Sequence, residues 1–393
     1  MNERVTMATV AKQAGVHPTT VSLALRNHPS LPPATRQRLQ DLAEQMGFKR
    51  DPALSALVAY RLQARPRTGD PQLAYITNWD TRWGWKDHPA HQEFFDGATE
   101  RASTFGFRLT HFWLGEPGLT HRRMSRILIS RGIAGLIIAS HRSEHSAPLD
   151  FDWPKFSAVK IDFSPREQQL HLITNDQRTI IGLAMQRVLG AGYRRIGLVM
   201  PYWWDDFVDL AWSAGFLAEQ QLIKAADRIP ILYYSTPLRP TRISTAGPDF
   251  VVPSHRLAKW LKQHRPEVLL SYGPFVRPSL AELGLAVPKD LAFVETFLLS
   301  PDGTTAGVRQ NCRRVGELAV EILEGQLHHN NYGVPSIPTA TLVEGTWHDG
   351  ASLPPRPPPA TPVSSRTSRD GRTEPRVARI AAPRRQFTHK PGV

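Results

Sequence analysis

At 393 residues, with 41% apolar and 21% charged residues, the chain is sized for two to three ordinary domains and composed like a water-soluble globular protein. It has neither an apolar run approaching eighteen residues nor a basic-then-apolar leader, so no membrane span and no secretion are expected; its single cysteine, Cys312, excludes an internal disulfide and any cysteine-built metal site and suits a reducing cytoplasm. The net charge of +13 divides into +5 over residues 1–65, +7 over 351–393 and only +1 over the 285 between, which argues for phosphate contact at the amino end and different chemistry in the body.

The stretch Val5 to Arg26, VTMATVAKQAGVHPTTVSLALR, reads as two short helices joined by a tight turn. Val10, Ala11 and Ala14 form one apolar stripe, and Gly15 follows it as a glycine able to take φ > 0 at a helix end. Val16 seats the turn. A second helix starts near Pro18, a residue tolerated in a first helical turn. Val21 and Leu25 are spaced to face the first helix, which leaves Thr19, Thr20, Ser22, Leu23 and Arg26 pointing outward. Small hydroxyls, an apolar side chain and one cation on a short exposed helix suit a DNA major groove, where hydroxyls bond phosphates or base edges and apolar groups meet thymine methyls.

The pattern V-T-x-x-x-V-A-x-x-A-G-V-x-x-x-T-V-S resembles the headpiece of the lactose/galactose-repressor family of bacterial transcription regulators. Thr35-Arg36 and Gly47-Phe48 stand where that family carries T-R in its third helix and G-Y or G-F at its end. The resemblance implies DNA contacts from Thr6, His17, Pro18, Thr19, Thr20, Ser22, Leu23, Arg26 and Thr35. A third helix is expected from about Pro33 to Met46, with Leu39, Leu42, Ala43 and Met46 at helical spacing. Where relatives have a Ser or Thr cap, this chain has Leu31-Pro32-Pro33, which fits a helix start and loses one cap-to-phosphate contact. Asp51 to Ala59 then matches the family's hinge helix, in which a leucine wedges into the minor groove; by position this is Leu57. Arg61 to Pro71 reads as a linker.

From Leu73 onward strands and helices alternate. Strands are expected at 73–76, 108–113, 135–139, 158–161, 195–200, 229–234, 268–270 and 291–295. Helices are expected at 91–105, around Met124–Leu128, at 177–189, at 254–264 and after Asn311. Continuous apolar strands such as Gly135–Ala139 between helices signal a parallel sheet covered on both faces. The body resembles the core of the same family, which is like a type I periplasmic binding protein. Arg131-Gly132-Ile133, Gly192 to Gly197, and Gln310-Asn311 with Gly316 are its local matches.

The fold class is therefore α/β. An all-α helix-turn-helix headpiece (1–50) leads through a hinge and linker (51–70) to a two-lobed, doubly wound parallel-sheet core (71–350). A Pro- and Arg-rich tail (351–393) has too few large apolar groups to offset its chain entropy and is expected to be disordered.

There is no GxxxxGK[ST], HExxH or GxSxG pattern, and the histidines at 141, 145, 328 and 329 lie in polar stretches where solvated side chains are the rule, so neither an enzyme nor a metal or cofactor site is expected. Trp79, Trp83 and Trp85 follow the first strand's carboxyl end, where open α/β sheets bind ligands. Asp162 stands where the family places a ligand carboxylate. The body departs from sugar-binding relatives at Trp212, where they carry arginine, and at Ser271-Tyr272-Gly273 and Glu295-Thr296, where they have Asn-Asp and a further acidic residue. The expectation is a cytoplasmic homodimer that binds a double-stranded, pseudo-palindromic DNA operator, in most relatives as a repressor. Its expected small-molecule effector is a sugar or glycoside held by Trp79, Asp162, Trp212 and Tyr272. The alternative the core alone would allow is a solute-binding protein of a transport system.

Overall fold

The computed structural model describes residues 5–25, 27, 30–48, 71–141, 148–235 and 248–356. The expected hinge with Leu57, Arg26, and the chain beyond Arg356 lie outside the described residues.

Three helices make the headpiece: α1 (Met7–Ala14), α2 (Pro18–Leu25) and α3 (Pro33–Gln45). Thr6 begins α1 through a reciprocal cap with Thr9, its hydroxyl accepting the Thr9 N–H at 3.2 Å. Gly15 ends it in the left-handed region at φ 66°, the conformation that makes glycine the favoured residue there. Val10 and Ala11 of α1, Val21 and Ala24 of α2, and Leu39 and Ala43 of α3 are buried. Leu25, expected on this inner face, is only half-buried, because Ala24 takes the inward position one residue earlier. Pro32 caps α3 without a side-chain bond. Gln40 instead ties α3 to the end of α2, donating to the Ala24 carbonyl at 2.7 Å.

Two six-stranded sheets form the two lobes. Lobe 1 has the order β11-β5-β4-β3-β1-β2 from β1 (Gln72–Asn78), β2 (Arg108–Trp113), β3 (Gly135–His141), β4 (Ser157–Ile161), β5 (His171–Asn175) and β11 (Ala340–Val343). Lobe 2 has the order β12-β10-β9-β8-β6-β7 from β6 (Ile196–Met200), β7 (Leu232–Tyr233), β8 (Val268–Ser271), β9 (Ala292–Glu295), β10 (Ala306–Arg309) and β12 (Thr346–His348). All pairings are parallel except β10 with β12. Strands β4, β6, β8 and β9 are buried along their whole length, as a sheet covered on both faces requires.

The covering helices are α4 (Pro89–Thr104), α5 (His121–Ser130), α6 (Gln177–Gly190), α7 (Tyr202–Phe207), α8 (Ala211–Gln220), α9 (Ser254–His264), α10 (Gly273–Glu282) and α11 (Cys312–His329). The chain crosses between lobes three times: from β5 into α6, from β10 into α11, and from β11 into β12. Helix α11 thus returns from lobe 2 to pack on α4 of lobe 1. Their backbones touch at Gly97 and Gly316, where a Cβ on either would run into a carbonyl of the other helix.

The ordered core continues past the expected boundary at 350. Ser352 is buried and bonds the sheet of lobe 2, donating to the Phe293 carbonyl at 2.6 Å and accepting the Ala306 N–H at 2.9 Å. Tyr193 donates to the Pro354 carbonyl at 2.8 Å, and Arg356 lies over the Tyr193 ring. Residues 351–356 therefore belong to lobe 2, held by a serine the composition of the tail conceals.

Candidate nucleic-acid interface and interlobe cleft

The headpiece presents the expected residues on one side of α2. Thr6, His17, Pro18 and Thr19 are exposed; Thr20, Ser22, Leu23 and Thr35 are half-buried. His17 stands just before α2, and its Nδ1 lies 3.3 Å from the Thr19 N–H and 2.8 Å from the Thr19 hydroxyl. A ring nitrogen accepting a backbone N–H leaves the proton on Nε2, which faces outward as a donor. An exposed histidine and threonine hydroxyls at the start of a helix are groups that can bond a phosphate oxygen.

The cleft is built from strand carboxyl ends. Trp79, just past β1, is half-buried against His88 at 4.8 Å and His91 at 5.4 Å between ring centroids. Its indole N–H is buried without a partner among the described residues. Burial holds His91 at a pKa of about 3, so its ring is uncharged at neutral pH. Asp162 follows β4 in the left-handed region (φ 66°) and is buried. Its Oδ1 accepts the Phe163 N–H at 3.0 Å and the Thr174 hydroxyl at 3.3 Å. This carboxylate thus has a local capping role as well as its place at a strand end.

Lobe 2 contributes aromatics. Tyr272, at the start of α10, packs edge-on against Phe275 at 5.1 Å and Phe297 at 5.6 Å. Trp204 stacks on Tyr272 with an interplanar angle of 17°, and its indole N–H is also buried without a partner. Trp212 departs from the expected role: it is fully buried, and its N–H donates to Gln177 Oε1 at 2.7 Å. Gln177 continues to Gln310 at 3.0 Å, and Gln310 to the Thr296 carbonyl at 3.1 Å. Trp212 therefore anchors a buried network at the crossovers, with the half-buried Trp204 set against it at 5.4 Å. The Tyr202-Trp203-Trp204 run after an apolar strand was the sequence signal for this second indole. His141 also departs from the solvated reading: it is buried at the end of β3, with Nδ1 3.1 Å from the Ala139 carbonyl.

Glu295 ends β9 and is buried with both carboxylate oxygens 2.9 Å from the Gly273 N–H, so it caps α10. Desolvation pushes its carboxyl up to about 7, against the opposing pull of those backbone bonds and of Arg277. Two contacts join the lobes beside this floor. Arg309 of β10 donates to Glu93 of α4 at 2.9 Å, and Arg166, in the loop after Asp162, reaches the Asp206 carbonyl behind Trp204.

Residues 6–51 match the family described as "Bacterial regulatory proteins, lacI family". That match spans the headpiece. Among curated proteins, the chain is 25% identical over 197 residues to the HTH-type transcriptional regulator IpsA of Corynebacterium glutamicum, covering 49% of this chain and 52% of that one. The chain thus spans about half the length of the curated relative it matches. Among solved structures, a lacI-family regulator from Rhizobium etli superposes with a TM-score of 0.55 at 16% identity, over 72% of this chain and 99% of that one. The transcriptional regulator CelR in complex with cellobiose gives 0.51 at 17%, over 88% and 98%. The lac repressor dimer bound to operator and the anti-inducer ONPF gives 0.50 at 15%, over 90% and 100%. At such identities these likenesses establish the shared fold: lacI-type helices before two parallel-sheet lobes.

Proposed function

We propose that this protein is a cytoplasmic, homodimeric transcription regulator that binds a pseudo-palindromic DNA operator and responds to a neutral small molecule in the interlobe cleft. The observation that carries the reading is the headpiece: a lacI-family match over 6–51 whose exposed side is His17, Pro18 and Thr19 at the start of α2. Two such headpieces on one two-fold axis read two half-sites. Thr6, His17, Thr19, Thr20, Ser22, Arg26 and Thr35 supply phosphate and base-edge contacts, and Leu23 an apolar one. Leu57 wedges into the minor groove, at a cost of about a few kcal/mol in unstacking that contacts along bent DNA offset.

The effector is a pyranoside or larger glycoside. Trp79 and Trp204 offer two indole faces and two buried N–H donors, Tyr272 a third ring, and Asp162 a carboxylate for hydroxyls. Buried donors without partners cost free energy until an acceptor arrives. The solved neighbour CelR was captured with cellobiose, a ligand of this class.

Selection from random double-stranded DNA with the full-length protein tests the reading. The expected result is an inverted repeat without an obligate guanine opposite Leu23, since leucine cannot grip guanine as arginine does. Failure to enrich any sequence would overturn it. For Leu57→Ala, specific affinity falls far more than non-specific affinity; equal losses would reduce Leu57 to a linker residue.

A further inference from the structure

The second tryptophan of the Trp79-Trp83-Trp85 group, Trp83, is not part of the cleft. Trp83 is 48% exposed, while Trp85 is fully buried beneath it. Its ring stacks on His111 of β2 at 4.7 Å, with Lys86 Nζ 4.5 Å and the Arg82 guanidinium 5.6 Å from its centroid. Strand β2 is the outer strand of lobe 1, and alongside it runs a concavity of about 650 Å³ lined by Trp83, His111, Thr110, Gln72, Arg108 and Arg131. No carboxylate lines it. Among the described residues no acidic side chain pairs with Arg82, Lys86, Arg108 or Arg131, although most other arginines of this lobe, such as Arg101 and Arg122, have carboxylate partners. His111 adds no charge, since burial first and then Arg82 and Lys86 hold its pKa down to about 4.

Two cations over one exposed indole, and two guanidiniums on the concavity beside it, have no carboxylate partner among the described residues. Repulsion among them is relieved by an anion, and two guanidiniums on one concavity match a dianionic phosphate, which accepts paired N–H bonds from each. The indole face supplies stacking for a flat ring, reinforced by the cations already over it. We propose that this concavity is a second ligand site, separate from the interlobe cleft, for a phosphate monoester carrying a planar ring. Arg108 and Arg131 hold the phosphate and Trp83 stacks the ring.

Calorimetric titration of the full-length protein with phenyl phosphate and with inorganic phosphate tests it. Phenyl phosphate is expected to bind at least tenfold more tightly than inorganic phosphate. Trp83→Ala should erase that advantage, and Arg108→Gln with Arg131→Gln should weaken phenyl phosphate at least tenfold, with thermal melting unchanged in both variants. Absence of phenyl phosphate binding to the wild type, or wild-type affinity in both variants, would overturn the proposal, the latter placing the anion on the basic headpiece instead. Light scattering closes the remaining alternative. A change of oligomeric mass in the double arginine variant would make this sheet edge an interface between copies and would also overturn it. None of these results depends on the operator or on the cleft.

Discussion

The headpiece and the interlobe cleft put their functional residues in opposite places. In the headpiece they are what remains outside after Val10, Ala11, Val21, Ala24, Leu39 and Ala43 have gone inside. Helical period alone sorts the two sets, and a change on the outer face costs little stability. In the cleft the groups sit at the ends of β1, β4, β6, β8 and β9, already engaged with the fold. Asp162 caps Phe163, Glu295 caps α10, and Trp212 is buried in the network it anchors. A binding surface laid on a small core can be altered piecemeal; one assembled from strand ends is altered together with the core.

The largest effect that separates the two regions is at Gly316. Replacing it with alanine drives a methyl into the Phe94 carbonyl, because α4 and α11 touch through their backbones there. Overpacking of this kind costs about 3 kcal/mol. Calorimetry should show the core transition falling by several degrees, while the headpiece, which shares none of that packing, keeps its own transition. A headpiece that melts earlier by the same amount would mean the two regions fold as one unit.

Next comes the pH dependence of the core. Glu295 is neutral in the fold up to about pH 7, while the unfolded chain ionises near 4.5. The unfolded state therefore holds fewer protons between those values, and stability falls as pH rises through that window. A gap of this size is worth on the order of 3 kcal/mol. Glu295→Gln retains an oxygen for the Gly273 N–H and removes the charge. It should melt higher than wild type at pH 8, match it at pH 4.5, and lose the slope between. An unchanged slope would show that Glu295 stays ionised in the fold.

In the headpiece the corresponding change is smaller. Thr6→Ala removes the α1 cap, worth about 1 kcal/mol, and should lower the headpiece transition and leave the core transition in place.

How much was legible follows the same division. The headpiece could be read to within a residue because its turn chemistry, at Gly15 and Pro18, and its period agree. Leu25 packs on the headpiece core as expected, though half-buried, with Ala24 wholly inside beside it. In the lobes the long apolar strands and amphipathic helices stood out. Strands β5, β10, β11 and β12 did not; β11 and β12 are half-exposed with no apolar run. The site was harder still. Position relative to a strand end singled out Trp79, and the family resemblance singled out Asp162, Tyr272 and Trp212, of which Trp212 faces the core. Which of two indoles in neighbouring helices turns outward depends on packing with Gln177, a residue 35 positions away. Ser352 was hidden in the same way, a single buried hydroxyl inside a stretch whose composition reads as disorder.

The smallest effect tests whether the cleft is held shut by the protein itself. Lys160 is buried with its ammonium donating to the Pro165 carbonyl at 3.0 Å and the Gln168 carbonyl at 3.3 Å, which shapes the loop after Asp162. That loop carries Arg166 across to lobe 2, where its guanidinium meets the Asp206 carbonyl and lies 3.7 Å from the carboxylates of Asp206 and Asp209. Asp209 and Leu210 both adopt positive φ, so the turn receiving Arg166 holds a conformation that ordinary side chains rarely take. An arginine 41% exposed gains little from such pairs, about 0.5 kcal/mol once solvent and salt have screened them. Yet it is placed at the mouth, where a small free energy shifts the balance between open and closed lobes. Arg166→Ala should leave melting almost unchanged and increase the radius of gyration of the free protein in small-angle scattering. High salt should produce the same opening in the wild type and none in the variant. A variant with wild-type dimensions at low salt would show that the crossovers and the Arg309–Glu93 pair alone set the closure.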